Sequence, residues 1–416
     1  AFSPFTHLDT YDLRIPGRLL SAAADVGTVM AVLALGIRLY NRKVAILASA
    51  FIALAVIHVQ LAHFFAVDTF LAFFTVVTML FLGRVAYSGG LRYSALAGLC
   101  LGLALATKVS IAFLLIPFLL AHVMAAFSGP EKQNYLSLYV RWRYAVLGVI
   151  VGGALALIAL FVAMPYAFLD WSTFLVDVVE QSEIIRRVRH APYTLQYVDT
   201  LPFIYHMKNL GLWGLGIPLG ITAGAGLAFT VIHYVLRPNK TDLLILSFVI
   251  PYLLFFGSLE TKFLRYMLPA TPFLVLMGSR MLFWAWDISG HLHRFRGRQI
   301  MGATVAFIVV TTALYSLAFA SIYTRPHSAV EASQWMKGHA PSGATILREH
   351  WEESLRDMGG YVDVELPMYD PDTLGKLKLM SEELASGDYL VFYSHRLYGT
   401  ISRLPHKYPW SRAYYY

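Results

Sequence analysis

Long apolar runs, each closed by a short polar connection, repeat along the first three quarters of the chain. They occupy 19–37, 44–62, 68–83, 93–107, 109–127, 144–164, 212–236, 242–257, 267–286 and 299–322. At a rise of about 1.5 Å per residue, runs of this size cover most or all of a hydrocarbon core about 30 Å thick. The pattern predicts an α-helical polytopic membrane protein with about ten transmembrane helices. Residues 1–18 are polar, aromatic and punctuated by proline, and read as a surface loop. The fourth run is short and meets the fifth at Thr107-Lys108, where the boundary is least sharp.

Two stretches break the rhythm. Residues 165–211 form a long connection whose first half sets Phe174, Leu175, Val178, Val179, Ile184, Ile185 and Val188 among charges. That spacing predicts an amphipathic helix lying in the membrane interface, anchored by Trp171. Its second half, rich in Tyr and Pro, reads as a shaped surface, and a structured loop of this length is usually functional. Beyond 323 the chain turns polar and alternates helix and strand: helices near 329–338 and 376–385, strands at 344–348 and 389–393. Such alternation predicts a small C-terminal α/β domain over 324–416 with a parallel sheet, incomplete as it stands, after a transmembrane domain over 1–323.

Composition sharpens this picture. The chain is 57% hydrophobic and 14% charged, against about 25% charged for a soluble globular protein. Its net charge of +8 is topological and gives no argument for nucleic acid. Arg38, Arg42 and Lys43, then Arg84 and Arg92, then Lys132, Arg141 and Arg143, then Arg237 and Lys240, then Arg294, Arg296 and Arg298 fall in alternate connections. The other side's short connections hold Lys108, Lys262 and Arg265. The positive-inside rule makes the first set cytoplasmic. Loops 63–68, 165–211 and 258–266 and the C-terminal tail then share the non-cytoplasmic face of a plasma (inner) membrane. The single cysteine, Cys100, excludes a disulfide framework and any cysteine-based metal site.

Candidate chemistry gathers on that face. His63 and Asp68 sit in the hairpin between two runs, and a carboxylate there costs several kcal/mol unless it lines water or a polar cavity. Asp9 and Asp12, Arg186, Arg187 and Arg189, Lys108, and Lys262 with Arg265 come from neighbouring connections. Carboxylates facing cations suit an anionic substrate whose electrophilic carbon is attacked by a hydroxyl while the cations stabilise a phosphate leaving group. Each residue also has an ordinary reading. Asp68 is a favoured helix N-cap, Lys108 a snorkelling lysine, Arg265 an interface anchor beside Tyr266, and His63 an interfacial histidine without a role. Asp25, inside the first run, is expected to face other helices and to be hydrogen-bonded there.

Read in order, the segments GRLLS (17–21), HVQLAHFFAVDTF (58–70), GLALATK (102–108), PYAFLDWSTF (165–174), PYTLQY (192–197) and KFLRYMLPATP (262–272) resemble one family. It is that of the polytopic GT-C glycosyltransferases of family 39, grouped with protein O-mannosyltransferases and aminoarabinose transferases. The resemblance spans roughly residues 15–325. It implies a membrane glycosyltransferase that moves a sugar from a polyprenyl-phosphate donor to an acceptor at the outer face. By resemblance Asp68 is the acidic residue of the second outer loop, catalytic together with His63 or a ligand for a divalent cation. Lys262, Arg265 and Tyr266 match the basic segment near the lipid phosphate, with Lys108, Arg186 and Arg187 as further substrate contacts. The implied partners are the polyprenyl-phosphate sugar, membrane lipid and membrane proteins, with no nucleic acid. Family members begin with a further transmembrane helix and a first outer loop bearing the catalytic acid. With only 18 residues ahead of Leu19, the expectation is either that the chain is a fragment of a longer protein or that the protein has lost both. The competing expectation is therefore a non-catalytic membrane subunit of a larger assembly that retains the fold.

Overall fold

Apolar runs become helices because an unpaired backbone amide cannot be tolerated in hydrocarbon, and a helix satisfies its amides internally. The computed structural model describes residues 14–127, 138–189, 191–292, 296–355 and 359–416. Asp9, Asp12, Lys132 and Arg294 fall outside these. Among the described residues eight helical segments are long and apolar enough to cross a membrane. A bent pair supplies a ninth, and the shorter apolar helix 91–107 completes the correspondence with the ten runs. The protein is thus a multi-pass, predominantly helical membrane protein.

In order, the helices are α1 (Arg14–Leu39), α2 (Arg42–Leu54), α3 (Val56–Ala62), α4 (Val67–Ser88), α5 (Leu91–Thr107), α6 (Leu115–Phe127) and α7 (Leu138–Ala163). There follow α8 (Tyr166–Leu169), α9 (Trp171–Ile185), α10 (Ile204–Asn209), α11 (Ile217–Leu236), α12 (Lys240–Ser258), α13 (Thr271–Leu292) and α14 (Arg296–Ala320). Backbone contacts divide the chain into two compact units. The first holds Ala1–Val179 and Leu201–Ala320, the second Glu180–Thr200 and Ser321–Tyr416. The long 165–211 connection is therefore shared between them, which its sequence did not announce. The helix expected in its first half is α9.

Within the first unit, local signals set the helix ends. The Asn41 side chain accepts from the Val44 amide at 3.0 Å, capping α2, and Asn239 does the same for α12 at 2.9 Å to Asp242 N. The run expected at 44–62 is broken at Ala55, where α2 and α3 meet at 55°. Helices α5 and α7 pack through small residues: a Cβ on Gly98 would lie 1.9 Å from the Gly152 carbonyl oxygen, and one on Gly102 2.2 Å from that of Ala156. Small-xxx-small pairing of this kind lets backbones approach where no hydrophobic force drives helices together.

The core of this unit buries a polar chain. Asp25 of α1 is 9% exposed and lies 2.6 Å from His58 Nδ1 of α3. His58 Nε2 is 2.9 Å from the Thr271 hydroxyl of α13, which donates to the Leu268 carbonyl at 2.7 Å.

The second unit is built on a three-stranded parallel sheet of order β2-β1-β3, from β1 (Thr345–Glu349), β2 (Val362–Leu366) and β3 (Tyr389–Val391). Leu347 pairs with Val364 and with Leu390. Around the sheet lie α15 (Ser328–His339), α16 (Leu374–Ser386) and α17 (His395–Ile401). Leu195, from the long connection, joins Leu347, Leu366, Met380, Leu397 and Tyr408 in the unit's apolar core. Strand β2 and helix α17 were not anticipated.

Candidate functional site

Asp68 stands in the first turn of α4, where the helix dipole favours a carboxylate. The turn is fixed by Thr69, whose hydroxyl donates to the Ala66 carbonyl at 2.9 Å. Asp68 is only 3% exposed, and a carboxylate so placed needs charged or hydrogen-bonding partners. It has two. The Lys108 ammonium donates to one oxygen at 3.3 Å, and the Arg265 Nε lies 3.9 Å from the other.

Three separate parts of the chain supply this cluster. Lys108 occupies the break between α5 and the 3-10 turn Val109–Leu114, where its backbone is extended. That break turns the ammonium across to Asp68 and over the Tyr266 ring, 4.4 Å from its centroid, a cation–π contact. Arg265 and Tyr266 lie in the 3-10 turn Leu264–Ala270. The Tyr252 hydroxyl of α12 donates to the Tyr266 carbonyl at 2.8 Å, tying this turn to the bundle. Arg265 also lies over the Phe263 ring, 4.8 Å from its centroid. Among the described residues, two cations against one carboxylate leave one positive charge in surplus. The Arg265 side chain is 52% exposed and that of Lys108 29%, whereas that of Asp68 is 5% exposed. The surplus charge therefore faces outward, as an anion site requires.

Other residues singled out in the sequence have local partners or backbone features of their own. Lys262, 1% exposed, donates to the Glu260 carbonyl at 3.1 Å and lies 3.8 Å from its carboxylate. The exposed His63 turns its Nδ1 back to the Val59 carbonyl at 2.7 Å. Arg186 and Arg187 belong to the second unit; there Arg186 donates to the Ser182 carbonyl at 3.2 Å, and Arg187 takes a left-handed backbone with φ of 55°.

Residues 10–167 match the family described as dolichyl-phosphate-mannose-protein mannosyltransferase. The chain superposes on the apo oligosaccharyltransferase of Archaeoglobus fulgidus with a TM-score of 0.52 at 14% identity, covering 96% of this chain and 61% of that one. The fold is GT-C-like. The same archaeal enzyme, AglB, in complex with an inhibitory peptide and a dolichol-phosphate gives 0.51 at 12% identity over 95% of this chain and 61% of that one. Apo ArnT from Cupriavidus metallidurans gives 0.48 at 12% identity over 94% and 74%. This GT-C-like chain thus spans about three fifths of the oligosaccharyltransferase structures it matches. No curated protein matches it.

The donor set around Asp68 bears on the expected divalent cation. Both carboxylate oxygens already face cations, and no group of three or more His, Cys, Asp or Glu is gathered among the described residues of the GT-C-like chain. The described residues alone do not fit a divalent ion at Asp68, and no chemical step is assigned to one.

A second polar cluster escaped the sequence reading. Asp242, fully buried at the start of α12, pairs with Arg280 of α13 and lies 2.9 Å from His233 Nδ1 of α11. Arg280 also covers the Tyr40 ring at 5.0 Å. The only sequence signal was an arginine inside the apolar run 267–286, where a charge calls for a named partner.

Proposed function

We propose that this protein is a membrane glycosyltransferase that passes a sugar from a polyprenyl-phosphate carrier to an acceptor at the non-cytoplasmic face of the membrane. The observation that carries this reading is the meeting of Asp68, Lys108 and Arg265 with one positive charge in surplus. The bound dolichol-phosphate in the AglB structure supports the substrate class. The distribution of Lys and Arg supports the side.

In this reading Arg265 and Lys108 hold the donor's phosphate. Asp68 holds those two cations in place, since alone they would repel one another. The acceptor hydroxyl oxygen attacks the anomeric carbon in line and with inversion. The bond from that carbon to the phosphate oxygen breaks, its electron pair stays on the phosphate, and the hydroxyl proton passes to a base. Cations fixed where charge develops lower the barrier without reorganising during the reaction.

The test is sugar transfer from a labelled polyprenyl-phosphate sugar by the purified full chain. Arg265→Ala is expected to lower turnover by roughly 100-fold, the range for removing one stabilising donor, and Asp68→Asn, which frees the two cations, to lower it as well. Turnover unchanged in Asp68→Asn would take this cluster out of the reaction.

A further inference from the structure

Helices α10, α11 and α12 enclose a groove of about 280 Å³, almost wholly apolar, walled by Leu210, Leu215, Leu227, Leu253 and Met267. At its rim Met207 and Leu254 are 69% and 58% exposed, so it opens outward from the helices. Among the described residues one titratable side chain lines it. His206 is 2% exposed, and neither ring nitrogen has a hydrogen-bond partner among the described residues. A buried polar group without partners costs about 1–3 kcal/mol, and its persistence calls for an explanation.

The backbone around the groove is also out of the ordinary. Phe203, at the head of α10, has φ of 60°, its amide donates to the Gly257 carbonyl at 2.8 Å, and a Cβ on Gly257 would lie 2.4 Å from its ring. Residues Leu210–Gly214 form a π-helical turn. Strained residues and π-turns both concentrate at binding sites. Gly211 and Gly224 line the groove, and a Cβ on either would meet nothing within 4 Å. The space beside them is empty of protein.

We propose that this groove binds one acyl chain of a membrane glycerolipid, with the ester carbonyl accepting a hydrogen bond from the His206 ring. The site is distinct from the Asp68 cluster, and the proposal stands whether or not that cluster transfers sugar. Burial, and after it the charge of Lys262, push the His206 ring down to about 4. At neutral pH it is therefore an uncharged donor–acceptor pair. That matches a neutral ester group, whereas the charge of a phosphate is better met by the cations at Asp68. The groove's apolar wall supplies the rest of the affinity.

The experiment uses the full chain in nanodiscs of phosphatidylethanolamine carrying a photoactivatable diazirine on one acyl chain, with cross-links mapped by mass spectrometry. Labelling is expected on residues 203–227 and 250–257. Gly224→Leu, whose Cβ would meet no atom within 4 Å and whose side chain occupies the groove, should cut labelling there about tenfold, and His206→Leu several-fold. Gly153→Leu, also into open space but outside the groove, should leave labelling as in the wild type. Labelling unchanged in Gly224→Leu would overturn the proposal. So would displacement of the label by polyprenyl phosphate but not by unlabelled phosphatidylethanolamine, because the groove would then belong to the carrier. Both readouts are independent of transferase activity.

Discussion

Among single residues, Asp25 and His58 pose the clearest problem of proton accounting. The one hydroxyl proton of Thr271 goes to the Leu268 carbonyl, so the His58 Nε2, 2.9 Å from that oxygen, must be the donor. A neutral imidazole then has no proton left for Nδ1, which sits 2.6 Å from an Asp25 oxygen. One proton is consequently held between carboxylate and ring. Removing one member of such a buried pair costs about 3–5 kcal/mol, whereas replacing both by apolar residues is often neutral. Thermal unfolding in detergent should show Asp25→Leu strongly destabilised and the double variant with His58→Leu much less so. Additive losses would mean that the pair does not share a proton. The sequence placed Asp25 against other helices, but its partner His58 lies 33 positions away and Thr271, the partner of His58, a further 213, beyond what spacing along one helix reveals.

At the level of elements, close packing between α5 and α7 depends on Gly98 having no side chain. Gly98→Leu must force the two backbones apart and should destabilise by at least the 1–3 kcal/mol typical of overpacking. Gly153→Ala, on the same helix as Gly152 but facing open space, should leave the unfolding temperature essentially unchanged. Equal behaviour of the two variants would remove the close approach as a source of stability. The helices were legible because hydrophobic length is a one-dimensional signal. Strand β2 had such a signal too, in the alternation Val362-Asp-Val-Glu-Leu366, but it is five residues long and mostly exposed, so its pattern hardly rises above that of a loop. Asp68, Lys108 and Arg265 stood out as charges at the ends of apolar runs. Which of two nearby cations turns to the carboxylate did not: Arg265 does, while Lys262, three residues earlier, turns to Glu260. That choice is made by the 3-10 turn, whose geometry no spacing rule encodes.

For the molecule as a whole, the second unit carries a titratable group whose burial makes its stability depend on pH. Glu349, at the end of β1, is fully buried with one carboxylate oxygen unpartnered among the described residues. Burial raises its carboxyl from 4.5 to about 7, against the opposing hydrogen bond from Tyr415. An acid raised on folding holds its proton more tightly in the folded state than in the unfolded one. The second unit is therefore most stable below about pH 4.5 as far as this group is concerned, and loses that stability as pH rises through about 7. Hydrogen exchange on the full chain should show residues 321–416 becoming less protected over that interval, with the slope flattened by Glu349→Gln. A slope unchanged in that variant would assign the effect to another group.

The surplus charge beside Asp68 has a consequence for the order of events. A sugar-bearing polyprenyl phosphate is a diester with a single negative charge, while the spent carrier is a monoester approaching two at neutral pH. A cluster with a net positive charge therefore grips what remains after transfer more firmly than what it first received. On the proposed reading, the empty carrier leaves this site more slowly than the loaded one.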